Sequence, residues 1–226
     1  SDKAKERFKA KNEKEGQVLL KRLKKESENR GHINNSSLMS IFEGANRKGF
    51  KGSKQSILTA HNGYEMAHEM GHAHFYGDKN AGKIGKIAHK LYIGTDPHSK
   101  LTIGSGVVAG AASGINKAVK ESKGEKETKF EKLSPALTSL AVSAPMLISE
   151  AAASKHGIKT LKKAGASRRY INHSKKELAK AWGTYGIVPV ISTGLGYGAK
   201  AITYGGTEAA LELKKKDKKS KKKEGK

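Results

Sequence analysis

The chain of 226 residues has no cysteine, which excludes disulfide frameworks and thiolate metal sites; any metal must be held by histidine and carboxylate. Aromatics are scarce, with one Trp, seven Tyr and five Phe, while glycines number 26. That mixture suits close helix packing better than a large β-sandwich. Acids are also few: 21 against 45 Lys and Arg, a net charge of +24 that points to polyanionic partners, either anionic lipid or nucleic acid. No aromatic residues interleave with the lysines, which argues against a dedicated reader of single strands. The N-terminus is charged and lacks the apolar run of a secretory signal, so none is expected.

Against this background stands His68-Glu69-Met70-Gly71-His72, an H-E-x-x-H motif. Residues i and i+4 lie one above the other on a helix, so both imidazoles can reach one ion. The glutamate between them is free to act as general base toward a metal-activated water. Asn62 followed by Glu65 forms a capping-box pattern that starts this helix, Gly77 and Asp78 end it, and Gly71 implies a close packing contact. Upstream, 56–59 reads as a short edge strand able to hold an extended peptide.

Catalytic zinc normally has a third protein ligand. Glu150 is the leading candidate: it is the only acid between Glu131 and Glu177, and it follows a long apolar run where a lone carboxylate is costly. The alanines after it, Ala151 to Ala153, would let its helix approach the histidines. His74, His61, Asp96 and His98 stand behind it. Tyr185, Tyr170 and His173 are the candidate donors to a developing oxyanion.

Three segments lack charge: 101–116, 133–149 and 181–199. Each approaches the length of a membrane span but is rich in Gly, Ser and Thr, and a soluble helix hairpin would look similar. The first carries Gly106, Gly110 and Gly114 at four-residue spacing, a close-packing face. If the first two form a hairpin, Glu150 returns to the end of the histidine helix.

His68-Glu69-Met70-Gly71-His72-Ala73, then Glu150 to Ser154, then Leu178 to Tyr185, resemble in kind and order the motifs of bacterial membrane-associated neutral zinc metallopeptidases. The resemblance covers roughly residues 56–205. It departs at Ala152, where the family has aspartate, at Lys155-His156, where it has an arginine pair, and in lacking a membrane helix ahead of the histidine motif. It implies a gluzincin-like zincin core, mainly α, with a small edge strand or sheet and several Gly/Ala-rich apolar helices. Zn²⁺ would be held by His68, His72 and Glu150, with Glu69 as base and Tyr185 favoured as electrophilic donor.

The expected organisation is a basic amphipathic or disordered arm at 1–30, a metallopeptidase domain at 31–205, and a disordered lysine-rich tail at 206–226. Helices are expected near 5–28, 63–76, 101–119, 134–163 and 174–203, with a small sheet near 54–60. Pro145 should kink or interrupt the fourth helix, and Gly165 and Gly183 are expected breaks. The functional expectation is a membrane-associated zinc endopeptidase acting on peptide or protein substrates. The alternative is a basic structural or interaction protein, in a virion or on nucleic acid, that keeps a zincin-like scaffold; virion or cytoplasm is then the location.

Overall fold

A computed structural model describes residues 2–29, 33–35, 57–77, 82–92 and 94–224. The described residues are mainly α-helical. Six helices occur among them: α1 (Asp2–Asn29), α2 (Gly63–Gly77), α3 (Lys83–Leu91), α4 (Thr95–Ser122), α5 (Lys129–Lys163) and α6 (Arg168–Glu224). Two three-residue strands, β1 (Ile33–Asn35) and β2 (Ile57–Thr59), pair in parallel, with Ile33 opposite Ile57. That ladder is too short to support the gluzincin-like part of the expectation. Residues 54–56 of the expected sheet lie outside the described residues.

The chain divides into two compact units, residues 1–94 with 145–185 and residues 95–144 with 186–226, rather than one domain flanked by tails. The hydrophobic core of the first unit explains part of this correction. Leu19, Leu20 and Leu23 of α1 are buried with Met66, Ala67 and Met70 of α2, Leu161 of α5, Ala164 just past its end, and Tyr170 of α6. Helix α1 is therefore a core element and not an arm: Leu19, Leu20 and Leu23 share one stripe, and that stripe is covered, while Phe8 and Val18 stay exposed. Its polar edge is tied down as well. Glu15 accepts from Ser167 N, Ser167 Oγ and Arg169 Nη2 at 2.7, 2.8 and 3.0 Å, and Arg22 donates to the Ala164 carbonyl.

In the second unit, α4 meets α6 along its glycine row. A Cβ on Gly106 would strike Ser192, one on Gly110 the Gly196 backbone, and one on Gly114 Thr203 and Lys200. Ser192 Oγ donates to Thr102 O at 2.7 Å and lies 2.8 Å from Ser139 Oγ. Lys200 Nζ reaches Glu127 at 2.6 Å with both side chains largely buried.

Local signals account for the helix ends. Thr128 and Glu131 form a reciprocal capping box: Glu131 N donates to Thr128 Oγ1 at 3.2 Å and Thr128 N to Glu131 Oε2 at 2.8 Å. Gly165, with φ +76°, ends α5 as expected, with Ala166 N donating to Leu161 O and Gly165 N to Lys162 O, a Schellman closure. Pro145 and Gly183 do not interrupt their helices, since α5 and α6 continue past them. The lysine-rich end, expected to be unstructured, continues α6 to Glu224. Lysine, glutamate and alanine are good helix formers, so that end can extend α6 without burying an apolar face.

Candidate metal centre

The site is built on α2 and α5 of the first unit. Asn62 caps α2: its Oδ1 accepts from Tyr64 N and Glu65 N, both at 3.1 Å, while Glu65 reaches back to His61 N at 2.8 Å. Helices α2 and α5 then cross with their backbones in contact. A Cβ on Gly71 would meet the Ala153 backbone, including its Cα at 2.8 Å, and one on Gly157 would lie 3.0 Å from the Ala67 backbone. The crossing thus joins two small pairs at four-residue spacing, Ala67/Gly71 and Ala153/Gly157. Gly71 has the packing reason its sequence context implied, and the alanines after Glu150 make the approach possible. Residues beside those pairs face each other: His68 and His72 from α2, Glu150 and Ser154 from α5.

His68 Nε2 lies 3.1 Å from Glu150 Oε2 and 3.1 Å from His72 Nε2, and His72 Nε2 lies 3.6 Å from Glu150 Oε2. Three donor atoms around one tetrahedral ion at about 2.0–2.1 Å would stand about 3.3 Å apart, so this donor set fits zinc. Glu69 offers an oxygen within 4.8 Å of donor atoms on both histidines and is half-buried. Glu150 is 3% exposed, a depth at which a carboxylate needs partners, and the two imidazoles provide them.

A second layer of bonds orients the imidazoles. His89 Nδ1 lies 2.8 Å from the Gly85 carbonyl, and His89 Nε2 lies 2.9 Å from His72 Nδ1. A carbonyl can only accept, so His89 carries its proton on Nδ1. Burial, followed by the neighbouring His72, lowers His89 to about 4, so the ring is neutral and its Nε2 accepts. His72 must then donate from Nδ1, leaving Nε2 for an ion or a second proton. Burial opposes that second proton, but the hydrogen bond and charge of Glu150, with Glu69, outweigh it and raise the pKa of His72. His68 Nδ1 lies 3.2 Å from Ser154 Oγ, which can hold the second ligand ring in the same way.

Other candidates fall elsewhere. Tyr170 and His173 line a separate cavity of about 520 Å³ with Asn12, Gly16, His61 and Tyr64. His74 stacks on His156 with ring centroids 4.0 Å apart. Asp96 pairs with Lys100 at 2.8 Å, and His98 Nε2 meets Val142 O at 2.6 Å, both within the second unit. Tyr185 is half-buried on α6 and makes none of the bonds just described.

Sequence reasoning missed α3 and His89. The legible signal was Gly85, Ala88 and His89 at i, i+3 and i+4, a face of small residues carrying one imidazole. Ser154 was quoted only as part of a motif, without a role. The chain matches no protein-family model, no curated protein and no solved structure.

Proposed function

We propose that the chain is a membrane-associated zinc peptidase in which His68, His72 and Glu150 hold the ion. The observation that carries this reading is the mutual approach of those three donors, at 3.1, 3.1 and 3.6 Å, with the His72 tautomer oriented by His89. When bound, zinc supplies Lewis acidity, acidifying a water and polarising a peptide carbonyl. Glu69 takes the proton from the attacking water and hands it to the leaving amine, the role open to a carboxylate that sits beside the donors without being needed as one. Tyr185 is assigned to the developing oxyanion, as the resemblance to neutral zinc metallopeptidases implies. In the same reading the edge of β2 away from β1, which leads into α2, takes the substrate as an added strand.

Membrane association is supported by two observations. Helix α5 is long and apolar enough to cross a bilayer. In the second unit, Ser139, Ser143, Ser192 and Thr102 are buried while Val108, Leu140, Val190 and Ile202 are exposed. That inversion is the arrangement expected of helices packed in lipid.

The test is zinc content together with proteolysis of a generic substrate by the full chain and by Glu69→Gln. One zinc in both proteins, with activity about 10²–10⁴-fold lower in the variant, is expected. Absence of zinc, or equal activity, would overturn the proposal. A second reading, an interaction protein that keeps this scaffold, is favoured by the exposed lysines toward the end of α6, Lys214, Lys215, Lys216, Lys218 and Lys219. Salt-sensitive DNA binding without proteolysis would select it.

A further inference from the structure

Helix α3 is amphipathic, yet its large apolar residues face outward. Ile84, Ile87 and Leu91 recur at i, i+3 and i+7, one stripe of the helix, and are 72%, 58% and 57% exposed. The buried face is the small one: Gly85, Ala88 and His89. It cannot be turned around. Gly85 packs on the Phe75 ring so closely that a Cβ would collide with it, and His89 is bonded to His72. One exposed large apolar side chain is ordinary on a protein surface, but three on a single stripe of a nine-residue helix form a patch.

The charge around that stripe identifies its partner. Lys83, Lys86 and Lys90 flank it, Lys79 precedes it, and no acid occurs between Asp78 and Asp96. A purely apolar groove would match the stripe alone; an anionic bilayer matches stripe and lysines together, since acyl chains lie directly beneath phosphates. At about 13.5 Å the helix is too short to cross a bilayer and suited to lying along its surface. We propose that α3 docks on anionic lipid, with Ile84, Ile87 and Leu91 entering the acyl boundary and the lysine amines reaching headgroup phosphates. Because the opposite face of α3 carries His89 against His72, docking holds the candidate metal centre beside the lipid surface. If the peptidase reading holds, its substrates are polypeptide segments presented there.

The absence of cysteine makes the test direct. Ile87→Cys and, as control, Lys25→Cys on an exposed position of α1 are each labelled on the full chain with an environment-sensitive fluorophore. They are then mixed with vesicles of phosphatidylcholine alone or with phosphatidylglycerol, each carrying a spin-labelled quencher lipid. Strong quenching at position 87 and not at 25, confined to the anionic vesicles and relieved by salt, is the expected result. Lys83→Gln in the Ile87→Cys background should weaken the effect about fivefold. Quenching at 87 no greater than at 25, or equal in neutral vesicles, would overturn the proposal. So would a label already shielded without vesicles in a concentration-dependent way, which would assign the stripe to a second copy. Neither metal nor proteolysis enters this measurement, so its failure is separable from failure of the peptidase reading.

Discussion

The two units use helices with opposite solvent logic. The first buries Leu19, Leu20, Leu23, Met66, Met70 and Leu161, and its cohesion comes from keeping large apolar side chains out of water. The second buries Ser113, Ser139, Ser143, Ser192 and Thr102, while Val108, Val190 and Ile202 are 69%, 70% and 77% exposed. Its cohesion rests on backbones brought together at glycines and on hydroxyl bonds across the gap. The difference teaches that helix content alone says little about the medium: the side chains buried at each crossing do. A serine interior gains little by excluding water, but it is well suited to a surrounding as apolar as its own exterior.

The comparison is most open to breakage at its tightest contacts. Leu23→Ala should destabilise the first unit by about 2–5 kcal/mol, read from denaturant unfolding, because Leu23 is fully buried. Gly110→Ala should disrupt the second unit to a comparable degree, since its Cβ would strike the Gly196 backbone and backbone cannot step aside. A Gly110→Ala protein of unchanged stability would mean that the second unit does not depend on this crossing. His89→Ala should reduce zinc affinity about 10–100-fold by freeing the His72 ring, with the ligands themselves untouched. Calorimetric titration of zinc would register this, and an unchanged affinity would remove His89 from the site.

Acidity sharpens the same site. The fold raises His72 above its ordinary 6.5, so in the metal-free protein the ring keeps its second proton to higher pH than a free imidazole, and an ion must displace it there. Zinc affinity should therefore fall as pH drops through a value above 6.5, by about tenfold per pH unit for each proton displaced. His89, held near 4, stays neutral over most of that range and adds nothing to the slope. An affinity independent of pH between 5 and 8 would contradict this. The smallest effect belongs to the outer face of the second unit, where Val108→Ala in water should change stability by no more than about 0.5 kcal/mol. A loss as large as that of Leu23→Ala would show that this face is covered by another copy.

Much of the site could be read from residue order alone, because each signal was local. The i, i+4 histidines needed only a helix, Asn62 and Glu65 marked its start, and Glu150 stood out as an isolated acid in an apolar run. What escaped depends on contacts made at a distance. His89 lies on a helix whose prominent apolar stripe faces outward, so the usual inference from periodicity to core points to its wrong side. Helix α1 was legible as amphipathic, but nothing within 1–30 reveals that its stripe is covered by α2, α5 and α6. The division of the chain into two units was hidden for a similar reason: the charge-free segments 101–116 and 133–149 stand out within residues 95–144, but nothing local says that they leave the first unit, and the second of them runs past the boundary at 144.

That interruption bears on how the protein is made. Glu150 lies 82 residues after His68, so a nascent chain carries the imidazole pair well before it carries the carboxylate. At ordinary translation speeds the gap is about 4–16 s, longer still before α5 has cleared the ribosome. Throughout that interval the candidate metal centre lacks its carboxylate, so the proposed ligand set cannot yet form. On the peptidase reading, a site assembled from distant parts of the chain is thereby inert until the unit that houses it can close.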